Sequence, residues 1–121
     1  MDDSTTGDPL PAEVVTLLQA LLREDTPVHR GLLAQLPRLR VTGHCPCPCP
    51  TLDFGVADTA AVPPVAGARG PITEAAVLDR DGQPVGGVLV WATGGYLSGL
   101  ELYSWADEPI TRFPGPDRLA W

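Results

Sequence analysis

The chain has no lysine and no asparagine, and in 121 residues it carries only two tyrosines and two phenylalanines. Its eight basic residues are therefore all arginines, set against 15 acidic residues for a net charge of −7. No basic cluster exists that could neutralise successive phosphates, which argues against a nucleic-acid partner. A long apolar run is also missing: the stretch from Val85 to Leu97 contains four glycines and falls well short of the ~20 residues a membrane helix needs. The start, Met1-Asp2-Asp3-Ser4-Thr5-Thr6, is acidic, the opposite of a secretory signal. These absences lead us to expect a soluble, cytoplasmic protein with no membrane association. Cysteine is scarce and oddly placed. Three of them, Cys45, Cys47 and Cys49, fall within five positions, so no disulfide framework can form and a reduced or metal-bound state is expected.

What is present is enough to fold. With 44% hydrophobic and 19% charged residues, the chain can offset its ordering entropy, and its length suits one core. Residues 1–10 read as a flexible tail and 11–121 as a single domain. Pro11 and Glu13 mark a helix start, and Val14, Leu17, Leu18, Leu21 and Leu22 repeat at three-four spacing, so one face is apolar. Thr26-Pro27 restarts the chain as N-cap and first residue of a shorter helix ending by Pro37. From Arg38 the period becomes two: Leu39 and Val41, then Leu52, Phe54 and Val56, each line one side of a strand, with Gly43 interrupting the first. Residues 57–71 lack periodicity, carry Pro63-Pro64 and read as a surface loop. Ile72–Leu78, Val85–Thr93 and Tyr96–Trp105 read as a three-stranded antiparallel meander, because Gly94-Gly95 between apolar runs supplies the positive φ of a tight hairpin turn. Gly86-Gly87 reads as a strand irregularity. The stretch from Asp107 to Trp121 is expected to cover a sheet edge or hang free. The fold class is thus α+β: two N-terminal helices packed on a mostly antiparallel sheet of about five strands.

The segment His44-Cys45-Pro46-Cys47-Pro48-Cys49-Pro50 is the unusual feature. Each cysteine precedes a proline and is pushed to extended backbone. In a strand the prolines remove donors from one edge while the cysteine N–H groups keep the other, the behaviour of an edge strand. The three thiols would share a face, but the outer pair would stand about 13 Å apart, beyond disulfide reach; in polyproline II they fan out in three directions. A mononuclear three-thiolate site needs a kink, whereas two thiolates with an outside ligand, or a metal shared between two copies of the chain, come more easily. Thiolates select zinc, copper(I) or iron–sulfur centres, so Cys45, Cys47 and Cys49, with His44 adding an imidazole, form the candidate metal site, zinc or copper being the expected ions. Structural zinc sites ordinarily use two C-x₂₋₄-C pairs, and only one C-x-C-x-C is present, so a purely structural cysteine strand stands beside the metal reading. A nucleophilic cysteine would need a base. In extended backbone His44 faces away from Cys45, which leaves His29.

Asp53, Glu74 and Glu101 fall on expected strands and could pair, although solvated strand carboxylates are the commoner case. Trp91, Tyr103 and Trp105 could form an exposed aromatic patch or simply pack. Val41-Thr-Gly-His-Cys-Pro-Cys-Pro-Cys-Pro-Thr-Leu-Asp-Phe54, Asp81-Gly-Gln-Pro-Val85 and Gly95-Tyr-Leu-Ser-Gly-Leu-Glu-Leu-Tyr-Ser-Trp105 together resemble a family of small actinobacterial proteins without an established activity. That resemblance spans residues 38–118. It implies one compact domain and no mechanism, and Pro48 stands where the family would carry glycine. The Leu100–Trp105 stretch is also similar to small immunity proteins that neutralise toxins. Two functions follow as expectations. One is a soft-metal or thiol-dependent binding protein, with a homodimer as one arrangement. The other is a non-catalytic interaction module of immunity or regulatory type, whose acidic surface meets a basic protein partner. No constellation joins nucleophile, base and oxyanion donor, so an enzyme ranks third.

Overall fold

The computed structural model describes residues 8–44, 51–105, 108 and 110–121; of His44 it describes the backbone alone. The first helix, α1 (Ala12–Leu21), starts where Pro11, which has no N–H to satisfy, offers its carbonyl to Val14 at 3.0 Å and Val15 at 3.1 Å. Val14, Leu17, Leu18 and Leu21 are buried along the apolar stripe. The Thr26 hydroxyl accepts from the His29 N–H at 3.0 Å and caps the second helix, α2 (Pro27–Leu33). This helix stops at Leu33, and Pro37 falls early in a 3₁₀ turn, Leu36–Arg38, where its missing donor costs little.

Six strands follow: β1 (Leu39–His44), β2 (Leu52–Val56), β3 (Gly70–Leu78), β4 (Pro84–Thr93), β5 (Tyr96–Ser104) and β6 (Leu119–Ala120). They form one sheet in the order β1-β2-β5-β4-β3-β6, with every neighbouring pair antiparallel. The meander is present as β3-β4-β5, and Gly94 and Gly95 turn its second hairpin with φ of 58° and 90°. One expectation needs correction. The sheet has six strands, not about five, because Leu119 and Ala120 pair with Val77 and Ala76 along the edge of β3. Gly43 interrupts β1 as expected, through a register shift between Val41 and Gly43, and the strand runs on to His44. On the far edge, Asp8 accepts from the Val41 N–H at 2.8 Å and Pro9 bridges Arg40.

Burial alternates along the central strands. Val88, Val90 and Ala92 in β4 and Leu97, Leu100 and Leu102 in β5 are buried, and they join Val14, Leu17, Leu18, Leu21 and Leu32 of the helices in one apolar cluster. Helix α1 lies against β3 and the 3₁₀ turn Pro116–Arg118. A polar clasp sits inside this core. Gln35, 1% exposed, donates from Nε2 to the Gly95 carbonyl and accepts from the Leu97 N–H, both at 2.9 Å, tying the helical segment to the β4–β5 turn. The intervening side chains Leu89, Trp91, Glu101 and Tyr103 are half-exposed. They form the second face of the sheet.

Candidate functional site

Strand register assembles this second face. Leu89 of β4 lies opposite Glu74 of β3 on one side and Glu101 of β5 on the other, so the two carboxylates flank one apolar residue, with their Cα atoms two strand spacings, about 10 Å, apart. One residue pair further along, Gly87 lies between Ala76 and Tyr103, and Ala76 pairs in turn with Ala120. That row of small residues leaves a trough. Tyr103 lies across it: a Cβ at Gly87 would collide with its Oη and Cζ atoms and stand 2.9 Å from Cε1. By crossing the glycine, the Tyr103 hydroxyl reaches over β4 and donates to Glu74 Oε2.

A second aromatic makes the matching contact. Trp91 lies opposite Gly99, where no side chain stands in its way, and its Nε1 donates to Glu101 Oε1 at 2.9 Å. Each carboxylate is thus oriented by an aromatic donor, Glu101 from the neighbouring strand and Glu74 from across β4. The hydrogen bond to Glu74 is the main reason the Tyr103 hydroxyl is pushed up to about 12; burial and the negative charges of Glu74 and Glu101 add to it in the same direction. Around these pairs lie two grooves. One is lined by Thr51, Asp53, Trp91, Thr93, Ser98 and Glu101, and the other by Glu74, Ala76, Tyr103, Trp105, Ala120 and Trp121. Trp105 and Trp121 are the exposed large hydrophobic side chains among the described residues, at 60% and 54%.

The carboxylates named from sequence divide between the grooves, with Glu74 in one and Asp53 and Glu101 in the other. Glu74 and Glu101 flank Leu89 and are each held by an aromatic. The aromatic patch of Trp91, Tyr103 and Trp105 lies on or beside this face, and Tyr103 and Trp105 stand 6.3 Å apart between ring centroids at 46°. Leu89 and Trp121 belong to it without having been singled out, and so does Gly87, which the sequence marks only as a strand irregularity. Trp121 was hidden in a proline-rich stretch with no periodicity, and the role of Gly87 depends on a side chain sixteen residues away in sequence. Gly86 and Gly87 were expected to disturb the strand, yet both hold regular register, against Ser104 and Tyr103 on one side and Val77 and Ala76 on the other. The shift falls beyond them, between Val77 and Leu78.

Of the candidate metal ligands, Cys45, Cys47 and Cys49 lie outside the described residues, as does the edge-strand conformation expected for them. His44 is described by its backbone, which pairs with Leu52 at the end of β1. On the return side the Thr51 hydroxyl accepts from the Leu102 N–H at 2.9 Å. Among the described residues no group of three or more His, Cys, Asp or Glu side chains could hold a metal ion. His29 is 7% exposed in α2, and its Nδ1 has no hydrogen-bond partner. Among the same residues no helix is long and apolar enough to cross a membrane. No family model matches the chain, and neither a curated protein nor a solved structure matches it.

Proposed function

We propose that this protein is a non-catalytic interaction module that meets a basic protein partner with the second face of its sheet. The observation that carries this reading is the row Glu74–Leu89–Glu101 with Trp91 and Tyr103 locked onto its two carboxylates. An apolar centre flanked by oriented charges has the composition of a binding patch, since pre-set side chains lose little entropy on association. The surplus of 15 acidic over 8 basic residues favours a partner of opposite sign and speeds its encounter. Both carboxylates already accept from aromatic donors, so binding suits the arrangement better than acid–base chemistry. The test is partner capture on immobilised protein, comparing the natural chain with a Leu89→Asp/Glu101→Lys double variant of matched thermal stability. Basic proteins should bind the natural chain, elute with salt and be lost with the variant. Equal capture by both refutes the reading.

A second reading rests on the β1–β2 pairing. His44 faces Leu52 across the two strands, and the Asp53 carboxylate lies beside Gly43, its Oδ2 3.4 Å from where a Cβ would stand. The residues bracketing the cysteine segment are therefore neighbours, with a carboxylate next to them. Soft-metal binding by Cys45, Cys47, Cys49 and His44, with zinc or copper(I) as the ion, is the proposal for that segment. Metal content by mass spectrometry on protein purified without chelator, together with a native thiol titration, tests it. Near-stoichiometric metal with protected thiols supports the proposal, and a metal-free chain with three reactive thiols removes it.

A further inference from the structure

The groove between β5 and the C-terminal residues has a more specific chemistry than the face around it. Three aromatic side chains, Tyr103, Trp105 and Trp121, share its lining with one carboxylate, Glu74. Ala76 and Ala120 add only small side chains to the lining, and Gly87, in the same row, lets the Tyr103 ring lie across it. Tyr103 and Trp105 are tilted at 46° to one another rather than stacked, so they form two walls and not a closed pair. The Tyr103 hydroxyl takes one oxygen of Glu74 and fixes the direction of that carboxylate. Aromatic faces set around a negative group are what a cation requires, because the ring quadrupoles and the carboxylate attract the same charge.

The chain supplies its own example of the ligand. Arg23, just beyond α1, holds its Cζ 4.2 Å from the centre of the Trp121 ring, and Trp121 remains 54% exposed with that contact in place. A guanidinium is flat, weakly hydrated and able to stack on an indole while donating to a carboxylate in the ring plane, none of which a lysine ammonium does as well. Resting on the reading that this face binds a basic protein, we infer that the Glu74–Tyr103–Trp105–Trp121 groove is an arginine slot, which takes one arginine side chain from the partner and pairs it with Glu74 while stacking it on the indoles.

The experiment titrates the full, ¹⁵N-labelled chain with a capped glycine–arginine peptide and with its citrulline counterpart, which has the same shape without the charge. The indole N–H resonances of Trp91, Trp105 and Trp121 are followed. Saturable shifts of Trp105 and Trp121 with the arginine peptide, no comparable shift with citrulline, and an affinity about tenfold weaker in Glu74→Gln are expected, the loss of one charge-assisted contact. Glu74 is exposed, so this variant should keep its fold, which the rest of the spectrum verifies. Equal response to citrulline, shifts confined to Trp91, or an unchanged affinity in Glu74→Gln overturns the slot. If the peptide fails while the Leu89→Asp/Glu101→Lys variant still loses its captured partner, the slot falls and the interaction face stands. If both fail, both fall.

Discussion

Replacing Gly87 with alanine tests the geometry of the second face without touching either carboxylate. The new methyl would occupy the space now held by the end of the Tyr103 ring, and restoring ordinary carbon contact of about 3.5–4.0 Å requires the ring to move by roughly 1 Å or more. Its hydroxyl then leaves Glu74. An exposed, charge-assisted hydrogen bond is worth about 1 kcal/mol once solvent screening is allowed for. Removing a mid-strand glycine returns about 0.5–1 kcal/mol of backbone entropy. The two nearly cancel, so the melting temperature should stay within a few degrees of the natural chain. The phenol should not stay where it is. Tyr103 is pushed up to about 12 chiefly by its bond to Glu74, so separation returns it toward its ordinary value of 10. The sign follows from linkage: a folded-state value above the unfolded one stabilises the neutral phenol, and that stabilisation is complete below pH 10 and lost as pH rises from 10 toward 12. In a Tyr96→Phe background Tyr103 is the remaining tyrosine, and phenolate absorbance reads it alone. At about pH 11, with circular dichroism confirming the fold, about a tenth of the natural Tyr103 should be ionised and more than half in Gly87→Ala. A phenol that titrates alike in both chains refutes the crossing of Tyr103 over Gly87. So does a loss of about 3 kcal/mol, which would mean the strand and not the side chain had given way.

Two further substitutions probe the frame that carries this face. Gln35→Met keeps the volume but orphans the Leu97 N–H in the core, while the Gly95 carbonyl retains the Val65 N–H at 2.8 Å. The cost should be about 2–4 kcal/mol by chemical denaturation, and a loss below about 0.5 kcal/mol would show that the clasp is dispensable. His29→Leu removes a buried ring whose Nδ1 has no partner. It should leave stability within about 1 kcal/mol or raise it, because no hydrogen bond at that atom is lost, and a larger loss would mean Nδ1 has a partner after all.

Local signals were legible wherever the physics is local. The three-four leucine spacing of α1, the threonine cap of α2 and the Gly94-Gly95 turn each depend on residues within a few positions, and each is found where the sequence puts it. The alternation in β5 placed Leu100 and Leu102 on the buried side and Glu101 and Tyr103 on the other. The missing strand shows the limit of such reasoning. Leu119 and Ala120 are two residues after a run of prolines, too short for any period to register, and they form a strand because β3 presents an edge to them. Strand order has the same origin. That β2 lies beside β5 rests on two pairings, Leu52 with Leu100 and Asp53 with Gly99, between residues nearly fifty positions apart, and no local pattern encodes that choice.

The face itself was half legible for a related reason. Parity along a strand says which side chains share a side, and the alternation from Glu101 to Trp105 puts Glu101, Tyr103 and Trp105 together. Which residues become neighbours across strands depends on register, and a slip of one position would send each of them to the opposite face. Register turns three isolated residues, Glu74, Leu89 and Glu101, into a row, and makes Gly87 the gap through which Tyr103 reaches a carboxylate on a strand that is not its neighbour. The same dependence explains why a glycine pair looked like a defect. In a single strand, two glycines remove side chains that could have packed; in this sheet, Gly87 is the position where a side chain would have prevented the aromatic–carboxylate contact from forming. The absence of a Cβ is therefore part of the binding face, and a substitution that improves strand propensity there should weaken it.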